Sequence, residues 1–203
     1  MKNYFDLKGH VSVVTGASTG LGLQMAKAFA SQGANLVLLA RRMNLLEENA
    51  KAITEEQFRH EMNIDLFGTF VCAREFGKEM IKAKYGRIIN IASMYGLVGN
   101  MIVGSAPYHA AKGGVVNFTR ALAAEWGKYG VTVNSICPGY FYTDLTTETL
   151  DSDYFQAIAK RSIPLERYGR SGELDTCALF LASPASTYVT GQNIAVDGGY
   201  TCV

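Results

Sequence analysis

The sequence predicts an α/β fold built on a doubly wound parallel sheet with helices on both faces. Two observations predict this class: continuous apolar segments such as LVLLA at residues 36–40 alternate with helical ones, and glycine or proline marks most boundaries between them. Strands that are apolar throughout are typical of parallel sheets covered on both faces. A chain of 203 residues without a repeat or a linker suits one core. We therefore expect residues 1–203 to form a single domain.

The N-terminal elements are predicted as a strand, a helix and a second strand. The apolar run at residues 11–14 is a short buried strand, residues 24–31 form a helix closed by Gly33, and residues 35–40 form the next strand. Two parallel strands need such a crossover between them. These elements therefore predict a βαβ unit.

The alternation of strands and helices continues toward the C-terminus. Thr54 and Gln57 have the spacing of a capping box and are expected to open a long amphipathic helix that ends near Gly86. The later elements, in chain order, are a strand at 87–92, a helix at 108–129, a strand at 131–137, short helices within 144–172, a helix at 173–181 and a strand at 192–196.

Composition and charge exclude several kinds of partner. A formal net charge of +1 gives no field of one sign that would attract nucleic acid or a membrane surface. The N-terminal apolar run is too short for a signal segment or a membrane span. The 4 cysteines show no CxxC spacing and no nearby histidine, so free thiols rather than a metal site are expected. We expect a cytoplasmic protein without a metal, in which a pocket recognises a small molecule.

The turn between the first strand and the first helix is rich in glycine and reads TGASTGLG at residues 15–22. Glycines permit a tight turn and let the backbone approach a pyrophosphate, while a helix N-terminus offers free N–H groups to the anion. The turn therefore predicts dinucleotide binding; glycines that only pack the helix closely on the strand are the alternative. The candidate cofactor-binding residues of this turn are Gly16, Ser18, Thr19, Gly20, Leu21 and Gly22.

A second motif, YHAAK at residues 108–112, places a phenol and an ammonium one helical turn apart. Residues i and i+4 share a helix face, so Lys112 is expected near Tyr108, where a cation favours the phenolate form and suits the phenol to acid/base work. Ser93 follows a predicted strand, where open α/β sheets contact ligands, and its hydroxyl is a candidate for binding a substrate oxygen. Taken singly, the pair also fits exposed side chains on a solvated helix, and Ser93 fits an ordinary turn residue.

Five motifs occur together and in order, and together they resemble the short-chain dehydrogenase/reductase family, in particular its gluconate 5-dehydrogenase-like branch. They are TGxxxGxG at 15–22, IINIAS at 88–93, YxxxK at 108–112, VNSICPG at 133–139 and GQNIAVDGG at 191–199. Spaced motifs in a fixed order are far more specific than any one of them. The resemblance spans almost the whole chain.

The resemblance implies a Rossmann-type fold and an enzyme that interconverts a ketone and a secondary alcohol with a nicotinamide cofactor. In that family pattern Tyr108 is the catalytic acid/base, Lys112 favours its phenolate and binds the nicotinamide ribose, and Ser93 positions the substrate oxygen. The residues that would line the nicotinamide side are Pro138, Gly139, Phe141 and Thr143.

The cofactor is expected to be NADP(H) in preference to NAD(H), which stays possible. Arg41, followed by Arg42, comes after the second strand, where NAD enzymes place an acid that binds the ribose 2′-hydroxyl. A guanidinium there suits a 2′-phosphate. Arginines solvated in a loop are the alternative.

The substrate and the assembly also follow from the resemblance. The segment at residues 139–150 resembles the substrate-side stretch of sugar-acid and polyol dehydrogenases, so a polyhydroxylated carbonyl or alcohol is the expected substrate. A 3-oxoacyl-carrier-protein reductase-like enzyme is the alternative, as is a degenerate nucleotide-binding relative without turnover. The family's helices, here residues 66–84 and 108–126, pack against a neighbouring subunit, which implies a homotetramer or homodimer.

One block of the family pattern is missing, so the sheet is expected to be absent or rebuilt around strands 3 and 4. The family carries a third strand that contacts the adenine and a fourth strand with an NNAG motif, whereas here the chain runs from Arg42 through one short helical stretch to Thr54. The absent elements correspond to roughly 45 to 55 residues. Loss of a strand shifts the two half-sites by about 4.8 Å, and about 1 Å can cost a hundredfold in rate. Either the sequence is an incomplete version of a longer enzyme, or the sheet is rebuilt with reduced activity.

A second departure concerns Asp65. The family reads N-L-x-G where this chain has residues 65–68, which puts Asp65 at the position of an asparagine that holds a water of the proton relay. An ionised aspartate accepts the same hydrogen bonds but cannot donate. Asp65 is therefore a candidate fourth member of the catalytic set.

Overall fold

A computed structural model describes residues 4–17, 20–39, 55–100, 102 and 104–203. Within this part of the chain the strands are β1 (Val11–Thr15), β2 (Asn35–Leu39), β3 (Gly86–Ile91), β4 (Val131–Pro138) and β5 (Asn193–Val196). The α-helices are α1 (Gly20–Ser31), α2 (Glu55–Glu61), α3 (Gly68–Ala83), α4 (Ala106–Trp126), α5 (Thr147–Leu150), α6 (Asp153–Ser162) and α7 (Asp175–Ala182). A π-helical segment, Met62–Phe67, joins α2 to α3.

The residue contacts divide the chain into two compact units that are interleaved in the sequence. Unit 1 comprises the described residues of Met1–Leu45, Pro138–Ser186 and Val196–Val203. Unit 2 comprises those of Leu46–Cys137 and Thr187–Ala195.

Unit 1 contains the N-terminal βαβ arrangement. β1 and β2 pair in parallel, from Val11 opposite Asn35 to Thr15 opposite Leu39. α1 returns the chain between them and packs on α7. The apolar face of α1 is buried through Met25, Ala26, Ala28 and Phe29. Burial of such a face contributes most of a helix's stability in a protein.

The C-terminal part of unit 1 is an aromatic cluster around α5 and α6. Its buried residues are Leu150, Ala159, Ile163 and Tyr168, with Tyr140, Tyr142, Phe155 and Tyr200 packed against them. The tyrosine and phenylalanine rings meet edge to face, an arrangement that aromatic quadrupoles favour. Ring packing holds the segment after β4, together with a parallel β-bridge between Phe141 and Gly169.

Unit 2 is built on β3 and β4, which pair in parallel from Gly86 opposite Val131 to Ile91 opposite Ile136, with β5 bonded to the other side of β4. All eight residues of β4 are buried, as expected for a central strand. The core on which α3 and α4 pack contains Ala73, Leu122, Ala123, Val131 and Val133.

The predicted α/β class with parallel strands is confirmed, and most element boundaries agree within two residues. α1 begins at Gly20, four residues before the predicted start. The predicted long helix is interrupted by the π-helical segment. Several predicted features lie outside the described residues: the strand end at Ala40, the arginines Arg41 and Arg42, and Thr54 of the capping box.

Two hydrogen-bonded sheets, β1-β2 and β3-β4-β5, are present in the described ranges, and no strand within those ranges bonds to both. None of the helices described there has the length and apolar character that crossing a bilayer requires.

Candidate active site

Ser93 lies just beyond β3, at the start of a 3₁₀ turn formed by Met94–Gly96. Its backbone is extended, and its Oγ accepts a hydrogen bond from the Tyr95 N–H at 3.1 Å. The side chain thus caps the turn, which was the alternative to substrate binding. A hydroxyl can accept and donate at the same time. The Ser93 O–H can therefore still donate a hydrogen bond to a substrate oxygen.

Tyr108 and Lys112 lie on α4, as the spacing predicts. The Lys112 Nζ is 5.5 Å from the centroid of the Tyr108 ring, within the range of a cation–π contact. The same Nζ donates a hydrogen bond to the backbone oxygen of Ile91 at 3.2 Å, two residues before Ser93. One ammonium group therefore connects the end of β3 to the phenol on α4.

Asp65 holds the other side of Lys112. Its Oδ1 lies 3.1 Å from the Lys112 Nζ, and the two side chains are only 20% and 11% exposed. The close approach of the two segments depends on Gly114, because a Cβ there would lie 2.7 Å from Leu66 Cδ2, the residue next to Asp65. Lysine and aspartate thus form a largely buried ion pair beside the candidate catalytic tyrosine.

Glu61 extends this ion pair. It lies four residues before Asp65 and is partly buried. Burial, and then the negative charge of Asp65, raise the pKa of Glu61 above its ordinary value, while His60 and Lys112 oppose the shift. Sequence reasoning did not single out Glu61.

The turn that carries Ser93 is packed tightly onto α4. A Cβ added to Gly96 would lie 2.7 Å from the backbone oxygen of Lys112, closer than any real contact of that kind. Only a glycine permits this approach, so Gly96 fixes the distance between the serine turn and the helix that bears Tyr108 and Lys112.

The glycine turn of unit 1 fits the phosphates of a dinucleotide. Gly16 and Gly20 have positive φ angles of 66° and 58°, a conformation that other residues rarely adopt. A Cβ at Gly22 would lie 2.4 Å from the backbone oxygen of Gly16, so the turn and the helix cross in contact. The first turn of α1, which includes Leu21, directs its N–H groups at the turn. Ser18 and Thr19 lie outside the described residues.

The predicted nicotinamide-side residues follow the end of β4 in unit 1. Thr143 reaches the glycine turn, since a Cβ at Gly20 would lie 3.7 Å from Thr143 Cγ2. Phe141 is 5% exposed and its ring packs on Gly169. Pro138 ends β4, and the Gly139 N–H donates to the backbone oxygen of Val196. Thr143 and Gly139 thus offer positions for a ligand, whereas the Phe141 ring is mainly packing.

The candidate residues therefore divide between the two units. Ser93, Tyr108 and Lys112 all belong to unit 2, while the glycine turn and residues 138–143 belong to unit 1. Arg41 lies outside the described residues, so the basis for cofactor preference remains a sequence argument. In the described part of the chain no group of three or more His, Cys, Asp or Glu side chains is placed to hold a metal ion.

Comparison with known proteins finds family matches along almost the whole chain. A family model described as enoyl-(acyl carrier protein) reductase matches residues 39–201, and one described as short chain dehydrogenase matches residues 10–59. The chain is 33% identical to galactitol 2-dehydrogenase (L-tagatose-forming) of Cereibacter sphaeroides, over 98% of each protein. It is 43% identical to a 3-oxoacyl-[acyl-carrier-protein] reductase of Synechocystis over 145 residues, 71% of this chain and 56% of that protein.

A solved structure gives a likeness of similar extent. A gluconate 5-dehydrogenase from Burkholderia cenocepacia, in complex with NADP and tartrate, superposes with a TM-score of 0.89 at 27% identity and 98% coverage of each chain. The alignment with galactitol 2-dehydrogenase spans 249 positions against the 203 residues here, so at least 46 positions have no counterpart in this chain. That number agrees with the block of roughly 45 to 55 residues that the element lengths indicate.

Proposed function

The chain belongs to the short-chain dehydrogenase/reductase family and is an NAD(P)-dependent oxidoreductase, and from that premise we propose that it interconverts a ketone and a secondary alcohol on a sugar acid or polyol. Ser93, Tyr108 and Lys112 are the proposed catalytic residues. The observation that carries the proposal is the Lys112 ammonium, held between Tyr108 and the end of the strand that leads to Ser93.

Each residue has a defined task in the proposed reaction. In the direction of reduction, the Tyr108 hydroxyl donates its proton to the substrate oxygen, and in oxidation the phenolate takes that proton back. The Ser93 O–H donates a hydrogen bond to the same oxygen and orients the carbonyl. Lys112 stabilises the negative charge on Tyr108 by its own positive charge. NADP(H) or NAD(H), when bound, supplies or accepts the hydride.

The cofactor is proposed to be NADP(H) in preference to NAD(H). Gly16, Gly20 and Gly22 form the turn proposed to face the pyrophosphate, with Leu21 and Thr143 beside it, and the sequence adds Ser18 and Thr19 to the proposed cofactor-binding set. The presence of NADP in the Burkholderia enzyme and the position of Arg41 both support this preference. Arg41→Asp tests it: the ratio of Kd values for NADH and NADPH, measured by fluorescence titration, should fall by at least about tenfold if a bidentate contact to the 2′-phosphate is lost. An unchanged ratio contradicts the assignment.

A polyhydroxylated substrate is supported by the likeness to galactitol 2-dehydrogenase, which covers 98% of this chain. An acyl reductase is the second candidate, because the higher identity, 43%, is to a 3-oxoacyl-[acyl-carrier-protein] reductase over part of the chain. The two substrate classes differ in polarity: a sugar acid presents several hydroxyls and a carboxylate, and a thioester presents an apolar acyl chain.

The deciding assay compares 5-ketogluconate with an acetoacetyl thioester, each with NADPH and the 203-residue chain. The proposal expects turnover of 5-ketogluconate that Tyr108→Phe abolishes, whereas turnover of the thioester alone favours the acyl reductase. If NADPH binds but neither substrate reacts, the chain is a nucleotide-binding relative without turnover. The same assay with the absent block restored then shows whether that block accounts for the loss.

We further propose that the chain assembles as a homotetramer or homodimer through the family's two long helices, here α3 and α4. Exposed aromatic side chains at Phe67 and Phe70 support this proposal. Sedimentation at micromolar concentration should give a multiple of 22.1 kDa, and a monomer alone would contradict it.

A further inference from the structure

His109 follows the candidate catalytic tyrosine on α4 and contacts both ends of the loop that begins after Ser93. The proposed reaction gives this histidine no role. We propose that His109 is a positioning residue, which clamps the loop at residues 95 and 105 and thereby fixes the Ser93 hydroxyl relative to α4. The inference deepens the proposed function and rests on it, because it assumes that Ser93 orients the substrate oxygen.

The first contact of the clamp is with Tyr95, at the start of the loop. The rings of Tyr95 and His109 are stacked, with centroids 4.6 Å apart and an angle of 22° between their planes. Ring pairs at such a separation are stabilised beyond the apolar area that they bury. The backbone N–H of Tyr95 donates to the Ser93 Oγ at 3.1 Å. The ring that His109 holds therefore belongs to the residue whose N–H orients the serine hydroxyl.

The second contact is with Ser105, at the end of the loop. The His109 Nδ1 lies 2.8 Å from the Ser105 backbone oxygen and 3.2 Å from the Ser105 Oγ. The backbone N–H of His109 donates to the same carbonyl oxygen at 3.0 Å, as the first turn of an α-helix requires. One imidazole ring thus contacts the loop at both of its ends, so the loop is closed at its base.

The contacts of His109 determine which ring nitrogen carries the proton. A carbonyl oxygen only accepts hydrogen bonds, so Nδ1 is the nitrogen that is protonated and donates to Ser105. The Nε2 atom is buried and has no hydrogen-bond partner among the residues that the structure describes. A proton placed on Nε2 would be a buried donor without an acceptor, which is unfavourable. The Nδ1–H tautomer is therefore the form that the clamp requires.

The clamp complements a glycine contact on the other side of the Ser93 turn, residues 93–96. The Gly96 N–H closes this turn by donating to the Ser93 backbone oxygen at 2.9 Å, and a Cβ on Gly96 would lie 2.7 Å from the Lys112 backbone oxygen. Close contact at Gly96 sets how near the turn can approach α4. The stacked ring and the Nδ1–H bond oppose movement of the turn away from the helix. Together they hold Ser93 in place, and a displacement of about 1 Å can cost a hundredfold in rate.

The first test follows the Ser93 turn without any turnover. Amide hydrogen exchange of the Tyr95 N–H is measured by NMR in the parent and in His109→Ala. We expect exchange at Tyr95 to become about 5-fold to 10-fold faster in the variant, the order of a lost ring contact. The Ala92 N–H, which donates to the Ile136 oxygen at the end of β3, is the internal reference and should exchange at the parental rate. Equal acceleration at both amides, or none at Tyr95, would overturn the clamp.

The second test identifies the tautomer of His109. Nitrogen-15 NMR of the imidazole ring distinguishes a protonated Nδ1 from a protonated Nε2, and we expect the proton on Nδ1. A proton found on Nε2 would contradict the hydrogen bond to Ser105 and with it the second contact of the clamp.

The third test separates positioning from a general structural role. His109→Ala should lower kcat roughly 10-fold to 100-fold and leave the Kd for NADPH unchanged, because the cofactor does not contact the turn in the proposed reaction. In the Ser93→Ala background the same substitution should cost less than about 3-fold, since the group that His109 positions is already absent. His60→Ala, at an exposed histidine on α2, is the matched control and should keep the parental kcat.

The outcomes distinguish this inference from the proposed function. If the chain has no turnover, the proposed function fails, and the exchange and tautomer measurements still decide whether His109 clamps the turn. If turnover occurs and His109→Ala costs the same factor with and without the Ser93 hydroxyl, the positioning role is wrong. A loss of kcat confined to the chain that retains Ser93, together with faster exchange at Tyr95 alone, supports it.

Discussion

Two ion pairs of this chain differ in a way that separates good geometry from functional importance. Arg167 binds Glu173 through two parallel hydrogen bonds of 2.8 and 2.7 Å, and both side chains are 40% exposed. Lys112 meets Asp65 at a single contact of 3.1 Å, but in largely buried surroundings. The exposed pair has the better hydrogen-bond geometry. Loss of one partner should cost more free energy of unfolding in the buried pair, because water can replace a lost partner only at the surface.

The pKa values of the carboxyl groups at the two pairs are also shifted in opposite directions. Hydrogen bonds from Arg167 and from the Arg170 N–H lower the pKa of Glu173 to about 2. At Glu61, beside the buried pair, burial and the Asp65 charge raise the pKa. The large pKa shift of Glu173 overstates its contribution to the free energy of unfolding, because solvent screens a side chain that is 40% exposed.

The largest expected effect in the buried region comes from Tyr108→Phe. This variant keeps the ring that Lys112 contacts and removes the hydroxyl proton, so kcat should fall by about 10² to 10⁴, the range for a positioned acid or base, with little change in KM. Steady-state kinetics with NADPH measures it. Tyr188→Phe, at a fully exposed tyrosine in the same unit, is the control. A fall of less than about threefold in Tyr108→Phe would remove Tyr108 from the catalytic set.

The sequence was sufficient to predict this pair, because a regular helix places residues four positions apart on the same face. Tyr108 and Lys112 lie on such a helix, and the glycines at 16, 20 and 22 adopt the turn that their spacing predicts. The class of the fold and the order of its elements were equally accessible, since continuous apolar strands and their breakers are local signals.

The rest depended on packing that periodicity does not encode. The contact of Asp65 with Lys112 requires a π-helical segment and a glycine, Gly114, on the facing helix, and neither has a local signature. Glu61 escaped notice because two carboxyl groups at i, i+4 normally repel and are expected to diverge into solvent. The division into two interleaved units was also not foreseen, because contacts between distant segments of the sequence define it.

Removing one partner of the buried pair should have the next largest effect. Asp65→Ala leaves the Lys112 ammonium buried without its counter-charge, so the free energy of unfolding should fall by about 3 kcal/mol. Urea denaturation measures it. The double variant Asp65→Ala with Lys112→Met removes both charges and should recover more than half of that loss. Equal losses in the single and double variants would show that the ion pair is not the source of the effect.

Gly96→Ala tests whether the buried region also depends on backbone contact. The added methyl group meets the Lys112 carbonyl oxygen, so the Ser93 turn must move away from α4 at a cost of about 1 to 3 kcal/mol. Because Ser93 moves relative to Tyr108 and Lys112, kcat should fall as well. Gly127→Ala, where an added methyl group meets nothing within 4 Å, is the matched control and should leave kcat and the unfolding free energy near those of the parent.

The exposed pair should give the smallest effect, and its dependence on pH identifies it. Because the pKa of Glu173 is lowered in the folded protein, its stabilisation is present above the ordinary value of 4.5 and is lost as pH falls toward about 2. Glu173→Gln should therefore lower the free energy of unfolding by less than about 1 kcal/mol at neutral pH, and the difference should shrink as pH falls and vanish below about pH 2. High salt should shrink the neutral-pH difference further. A loss at neutral pH as large as that of Asp65→Ala would refute the comparison, since hydrogen-bond geometry rather than burial would then govern the strength of both pairs.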